Sequence, residues 1–318
     1  MKPKVLLIIP AYNEAGNIEK VVKDLKNNAN DVDYVIINDA SKDNTLEICQ
    51  KNNYNCINGL VNLGLWGAVQ TGLKYAMDKN YDIAIQFDGD DTYPVENARE
   101  MCDIILEGKA DMVIGDRLSS TYFTENKRPF HNLGNRMVRL LINKIFNNNV
   151  KDIMTGYRAF SYEFVKGFPV LSKGFEIETE MTIHAVDKNF KLVEVPVNYR
   201  DRPEGSISKL NTYRDGFRVL KTIFTLFKEY KPTFFFNTLT LIFLALALIL
   251  GIPVVGEYIK TGLVPRFPSL IVASIFTVIS LLLWITGIIL QVIVKKHKQL
   301  YELMLTQIVR NKKEEIKL

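Results

Sequence analysis

Two long runs without a single charged side chain constrain this chain more than anything else in it. Pro232 to Gly256 spans 25 residues and Phe267 to Val294 spans 28. At ~1.5 Å per helical residue, either run crosses a hydrocarbon core of roughly 30 Å. The alternative, two buried helices of a large soluble core, fits less well because such helices usually carry a polar stripe.

The charges around these runs give an orientation. Of 40 Lys/Arg and 35 Asp/Glu, nine basic and four acidic residues lie between Pro232 and Leu318. The net charge of +5 therefore belongs to that part, and the first 231 residues are neutral by count. Arg218, Lys221, Lys228 and Lys231 precede the first run and Lys295, Lys296 and Lys298 follow the second, whereas the loop between carries only Glu257, Lys260 and Arg266. The positive-inside rule predicts a multi-pass protein of the inner (plasma) membrane with both termini and the first 231 residues in the cytoplasm. Val5 to Ile9 is too short an apolar run for a signal peptide. Cys49, Cys56 and Cys102 lack metal-ligand spacing and suit free thiols in a reducing compartment. A charge-neutral domain without a basic recognition motif is not expected to bind nucleic acid.

The N-terminal part alternates strand and helix signals. Strands are expected at Val5–Ile9, Tyr34–Ile37, Asn55–Ile57, Ile83–Phe87 and Met112–Ile114, with helices at Asn17–Asn28, Asp43–Lys51, Gly67–Asp78 and Val95–Leu106. Further on, the pattern predicts a helix at His131–Phe146, a strand at Tyr157–Phe160, a helix at Glu176–Lys188 and a strand at Leu192–Val197. Short links between alternating elements argue an α/β, mainly parallel, doubly wound sheet with ligands beyond the carboxyl ends of its strands. The expected organisation is one domain over 1–210, an amphipathic interface helix over 211–231, spans over 232–256 and 267–294, and a basic tail over 295–318 on the membrane or a neighbouring subunit. For 211–231 the competing reading is an ordinary packing helix of the domain.

Polar residues gather where the first, second and fourth strands end: Pro10-Ala-Tyr-Asn-Glu14, Asn38-Asp39-Ala-Ser41 and Asp88-Gly-Asp90-Asp91. So many carboxylates on one edge repel each other unless cations or hydrogen-bond donors join them. Asp88 and Asp90, at i and i+2 around a glycine, suit one hard cation, Mg²⁺ or Mn²⁺, shared with pyrophosphate oxygens.

These strings, with Asn62-Leu-Gly64, Gly67-Ala68, Gly72 and Gln86-Phe-Asp88, resemble glycosyltransferase family 2 with the GT-A fold. Thr155-Gly-Tyr-Arg158, Gly174-Phe-Glu-Ile-Glu178, Glu194-Val-Pro-Val197 and Arg202-Pro-Glu-Gly-Ser206-Ile-Ser-Lys209 narrow the likeness to the polyprenyl-phosphate glycosyltransferases, which include dolichyl-phosphate mannose synthases and bacterial undecaprenyl-phosphate glucosyltransferases. The resemblance implies that Pro10, Tyr12, Glu14, Asp39 and Asp88 bind the nucleotide sugar and that Asp88 and Asp90 hold the metal. It implies a homo-oligomer, and a catalytic aspartate shortly before the Gly-aromatic-Arg motif, which points to Asp152. Taken singly, Glu14 and Asp39 also read as helix or turn caps, and Gly64, Gly67 and Gly72 as positions of close backbone packing.

The nature of such an acceptor sets the chemistry. A sugar hydroxyl needs a base as it attacks, whereas a lipid phosphate, with a second pKa near ~6 by analogy with phosphorylated side chains, is already ionised. Cations to hold it are on hand in Arg117, Arg136, Arg202 and Lys209, with Ser206 beside them; Arg200 reads as a solvated surface charge. Glu176 and Glu178 are further carboxylate candidates, and the catalytic set is expected to be Asp152, Asp90 and Arg117. The expected reaction is inverting transfer of a hexose from a nucleotide-diphosphate sugar, a UDP-sugar being favoured with GDP-mannose as the alternative donor, to a polyprenyl phosphate such as undecaprenyl phosphate. The competing readings are a membrane-anchored transferase acting on a hydroxyl, and a non-catalytic nucleotide-sugar sensor or scaffold.

Overall fold

The computed structural model describes residues 3–119, 139–144, 146, 148–169, 177–200, 221, 224–225 and 227–317. The chain divides into two compact units, Met1–Thr222 together with Leu305–Leu318, and Ile223–Met304.

The first unit is built on a seven-stranded sheet. Its elements in chain order are β1 (Val5–Ala11), α1 (Ile18–Asn28), β2 (Asp33–Asn38), α2 (Thr45–Lys51), β3 (Cys56–Asn58), α3 (Leu65–Asp78), β4 (Ile83–Gln86), a short 3₁₀ turn (Val95–Asn97) leading into α4 (Ala98–Leu106), β5 (Met112–Asp116), β6 (Arg158–Ser161), α5 (Tyr162–Gly167), α6 (Ile177–Asp187) and β7 (Leu192–Pro196). The strand order is β3-β2-β1-β4-β6-β5-β7. All neighbours run parallel except β6, which is antiparallel to both β4 and β5. The sheet is thus mainly parallel, as the alternation predicts.

The single reversed strand positions the site. Because Gln86 at the end of β4 lies opposite Arg158 at the start of β6, the segment entering β6 meets the segment leaving β4 on one edge. A parallel strand there would have delivered its other end.

Both faces are covered. Leu7, Ile9, Ile36, Ile85 and Val113 pack with Val21 and Leu25 of α1 and Met101 of α4 in one buried cluster. On the other face α3 comes close: a Cβ at Gly72 would stand 2.1 Å from Ile8 Cγ2, and one at Gly67 2.3 Å from Leu63 Cβ. These two glycines therefore serve close packing. Truncating a buried Leu or Ile of these layers to Ala costs about 2–5 kcal/mol.

Three local expectations differ from what is seen. The helix α5 was not expected; it is too short to show a periodic pattern and starts on Ser161, whose Oγ accepts the Phe164 N–H at 3.2 Å. Residues 295–317 are the continuation of one helix rather than a separate tail, since no Gly or Pro interrupts the chain after Gly287. The far end of that helix packs on its own domain, with Lys312 Nζ 3.2 Å from Asp82 and 4.4 Å from the centre of the Tyr162 ring. Of the helix expected at His131–Phe146, residues 139–144 and 146 are described and are helical, and most of the segment 211–231, where an interface helix is expected, lies outside the described residues.

The second unit is an antiparallel hairpin of α7 (Pro232–Thr261) and the part of α8 (Phe267–Lys317) that runs to Met304, both helices long and apolar enough to cross a membrane. Gly262 at φ +67° ends α7. The helices contact through Thr233–Gln291 at 2.6 Å, Ser280 donating to the Thr240 carbonyl at 3.1 Å, and the Phe243–Phe276 rings at 5.7 Å. Ala247, Val254, Ala273 and Ser280 are buried between them, as small side chains at a close helix contact should be.

Candidate active site

The segments leaving β1, β2 and β4 form one half of the site. A run of hydrogen bonds ties the first two of these to each other and to the end of β3: the Asn13 N–H donates to Ser41 Oγ (2.9 Å), Ser41 Oγ to Asn38 Oδ1 (2.5 Å) and Asn38 Nδ2 to Asn58 Oδ1 (2.7 Å). Each segment holds one non-glycine residue in the left-handed region, Asn13 at φ +55°, Ala40 at +53° and Asp91 at +61°. Such conformations cost about 1–3 kcal/mol each and persist where the surroundings over-determine them.

Within this half, Asp39 is buried and accepts the backbone N–H of Leu63 (2.8 Å) and of Gly64 (2.7 Å). It thereby holds the turn that starts α3. Glu14 is equally tied into the backbone: its N–H donates to Thr45 Oγ1 (2.9 Å), its carbonyl accepts Asn17 and Ile18 at the head of α1, and its carboxylate accepts Asn17 Nδ2 (2.9 Å). Pro10 is the penultimate residue of β1 and Tyr12 follows that strand. Asp43, not singled out in the sequence, receives the Thr45 N–H (3.0 Å) and hydroxyl (2.5 Å) and the Ala15 N–H (3.1 Å). Burial alone would raise its pKa, but these hydrogen bonds outweigh it and hold it below the usual carboxylate range.

The Asp88-Gly-Asp90 turn is made possible by two close approaches. A Cβ at Gly89 would stand 2.8 Å from the Pro10 carbonyl oxygen, so only glycine lets this turn press on β1. A Cβ at Gly156 would stand 2.5 Å from both Asp88 carboxylate oxygens. Asp88 therefore rests on the backbone of the Thr155-Gly-Tyr-Arg158 stretch, 68 positions on in the chain. Asp90 is buried and takes the Thr92 hydroxyl at 2.6 Å and its N–H at 3.3 Å. Arg200, expected as a solvated charge, is half exposed and reaches Asp91 (3.4 Å) and Asp24 (3.6 Å), while its N–H donates to the Thr92 carbonyl (2.8 Å).

The other half is made by β5, β6 and β7. Arg117 follows β5 and forks onto Asp152, Nε to Oδ2 at 2.9 Å and Nη2 to Oδ1 at 3.5 Å, with Nη2 also donating to the Met154 carbonyl at 2.7 Å. Asp152 is fully buried and Arg117 nearly so, at 12% side-chain exposure. Burial pushes the Asp152 pKa up, and the Arg117 charge acts against that rise. Glu194 of β7 holds the same segment by accepting the N–H of Lys151 (2.6 Å) and Asp152 (3.2 Å). Beneath lies an aromatic floor of Phe87, Tyr93 and Tyr157, and the Tyr93 hydroxyl meets Thr155 Oγ1 at 3.2 Å and Arg117 Nη1 at 3.4 Å.

Glu178, near the start of α6, is buried and its carboxyl is pushed up to about 8, first by burial and next by the Asp88 charge, with Arg158 and Arg117 pulling it down. Among the described residues no three His, Cys, Asp or Glu side chains converge as a metal cage. Asp88, seated against Gly156, and Asp90 two positions on supply two carboxylates from one turn, and this fits the minimal protein share of a Mg²⁺ or Mn²⁺ site, which keeps most positions for substrate and water.

The structure brings Asp88, Asp90, Arg117 and Asp152 to one sheet edge with Pro10, Tyr12, Glu14 and Asp39. Arg136, Arg202, Ser206 and Lys209 lie outside the described residues, as does Glu176. Sequence reasoning passed over Tyr93, Asp43 and the part played by Arg158; only Arg158 had a signal, as the last residue of a quoted motif.

The description "Glycosyl transferase family 2" matches residues 6–168. Glycosyltransferase AglJ of Haloferax volcanii is 28% identical over 296 residues, covering 93% of this chain and 95% of the relative. The polyprenol monophosphomannose synthase of Mycolicibacterium smegmatis is 26% identical over 225 residues, 65% of this chain and 81% of that protein. Among solved structures, Mycobacterium tuberculosis glucosyl-3-phosphoglycerate synthase in complex with Mn²⁺, UDP-glucose and phosphoglyceric acid matches with a TM-score of 0.54 at 17% identity, over 70% of this chain and 79% of that one. At that identity the likeness shows the fold.

Proposed function

The chain belongs to glycosyl transferase family 2, and from that premise we propose that it moves a hexose from a nucleotide-diphosphate sugar to a polyprenyl phosphate at the cytoplasmic face of a membrane, with inversion. A UDP-sugar is the favoured donor over GDP-mannose, and undecaprenyl phosphate is the favoured acceptor. The observation that carries this reading is the seating of Asp88 on Gly156, which joins a carboxylate turn suited to a metal-bound diphosphate to the segment bearing Asp152, which Arg117 grips from the end of β5. Two membrane-length helices and a relative named for polyprenol monophosphomannose synthesis support a lipid acceptor.

The division of labour follows from charge. Asp39, Glu14, Tyr12 and Pro10 shape the nucleotide pocket. Asp88 and Asp90 would hold Mg²⁺ or Mn²⁺, which when bound offsets the charge on the departing nucleoside diphosphate. Arg117, with Arg136, Arg202, Ser206 and Lys209, holds the acceptor phosphate in line with the anomeric carbon. One phosphate oxygen forms the new bond to that carbon as its bond to the diphosphate oxygen breaks. Asp152 is engaged by the Arg117 fork, an arrangement that suits a nucleophile needing no base. Its role is to fix Arg117 and to face the developing positive charge at the sugar.

Incubating membranes that contain the protein with a panel of radiolabelled nucleotide sugars and undecaprenyl phosphate tests the reading. Label from at least one donor is expected in the lipid fraction and is lost with Asp88→Ala. Failure of every donor to label lipid would overturn it.

A further inference from the structure

Among the described residues Arg158 is the largest side chain buried without measurable exposure, and it stands at the start of the reversed strand β6. A guanidinium taken out of water is expensive unless its donors are met. Here Nη2 donates to the Ile153 carbonyl (2.5 Å), Nε to the Thr155 carbonyl (3.0 Å) and Nη1 to Thr182 Oγ1 on α6 (2.9 Å). The carbonyl between those two, of Met154, is taken from the other side by Arg117 (2.7 Å). Three consecutive carbonyls are thus held by two guanidiniums. The turn they hold begins at Asp152, which Arg117 grips, and ends at Gly156, on which Asp88 rests. Burial lowers the Arg158 pKa to about 10, with Glu178 and Asp152 acting against that fall, so the side chain stays charged at neutral pH.

We propose that Arg158 is a positioning residue for transfer: its planar fork sets the course of the Asp152–Gly156 turn and, through it, the places of Asp152, Arg117 and Asp88. This rests on the transfer reading above. Asp39 and Asp90 have their own partners in Leu63, Gly64 and Thr92, so the part of nucleotide binding that they carry is independent of Arg158, and only the share of Asp88 depends on it. A lysine would keep the charge but, as a point donor on a flexible stem, cannot span two carbonyls and a hydroxyl at once.

The test is Arg158→Lys, assayed in detergent with undecaprenyl phosphate and whichever labelled donor the wild-type protein uses. The expected result is a fall in kcat of about tenfold or more, as loss of a charge-assisted hydrogen bond implies, a raised KM for the lipid, and a donor KM within about threefold of wild type. Wild-type kinetics in the lysine variant would mean that charge alone suffices and would overturn the proposal. If Arg158→Lys does not fold, Thr182→Val removes one acceptor of the fork and is expected to lower kcat about threefold or more at constant donor KM; unchanged kcat would overturn the proposal. Hydrogen exchange gives a readout that needs no substrate. Amides of residues 153–157 should lose protection selectively in either variant, and unchanged protection there would count against Arg158 even if wild-type transfer to lipid were absent, the result that defeats the transfer reading itself.

Discussion

The two halves of the site are held together by different physics. On the β1–β2–β4 side, Asp39, Asp43, Asp90 and Glu14 are met by backbone N–H groups, hydroxyls and an amide, all neutral donors close by. On the β5–β6–β7 side, Asp152 meets Arg117, and Arg158 is buried with Glu178 among its opposing charges. Hydrogen bonds from neutral donors to a carboxylate contribute about 1.5–3 kcal/mol each and are lost one at a time. Buried charges depend on one another, so removing one leaves its partner stranded. The first half is therefore expected to tolerate single changes and the second to fail as a unit.

The contrast can be broken by experiment. The largest expected effect is Asp152→Ala, which strands Arg117 and should cost about 3–5 kcal/mol, read from chemical denaturation; the neutral change Asp39→Asn should cost about 1–2 kcal/mol. Equal losses would erase the distinction. Next comes Asp88→Ala, expected to lower kcat by about 10²–10³ while leaving the fold intact by circular dichroism. A smaller effect is expected for Gly156→Ala, whose methyl meets the Asp88 carboxylate; overpacking of this kind costs about 1–3 kcal/mol, and here it should show as a raised metal requirement, measured by titrating Mn²⁺ in the transfer assay. Smallest is the pH dependence of the metal-free protein, where one carboxyl group from each half, Asp43 and Glu178, acts with opposite sign. Asp43 lies below its ordinary value, so the stability it contributes is present above that value and lost as pH falls through its lower folded one. Glu178 lies at about 8, so the native protein keeps a proton that the unfolded chain releases, and stability falls as pH rises from the ordinary carboxylate range toward 8. Asp43→Asn should flatten the acid limb of a denaturation profile and Glu178→Gln the alkaline one.

How much of this was legible beforehand follows the same division. The segments leaving β1, β2 and β4 could be read because β-α alternation places consecutive parallel strand ends on one edge, and their carboxylates stand within a few residues of apolar runs. The reversal of β6 could not, because a buried strand shows the same apolar run in either direction. The contact of Asp88 with Gly156 depends on that reversal, so residues 68 positions apart gave no sign of each other. Arg117 and Asp152 were both named, but as a phosphate holder and a carboxylate acting separately; their pairing at 2.9 Å is a fact of three-dimensional register. Arg158 sat in a motif with no role because a buried arginine and an exposed one look alike in a string of letters. At the other end, Lys295, Lys296 and Lys298 read as a membrane boundary by charge, and that reading hid the unbroken helix that continues to Lys317.

The central claim is that a pre-ionised phosphate, held by cations, is the nucleophile. It is tested most directly by offering the purified protein undecaprenyl phosphate and undecaprenol side by side with one labelled nucleotide sugar and Mn²⁺. The account predicts label on the phosphate alone, in a product whose sugar is released by mild acid as a glycosyl phosphodiester should be. Comparable transfer to the alcohol would show that a base creates the nucleophile and would contradict it.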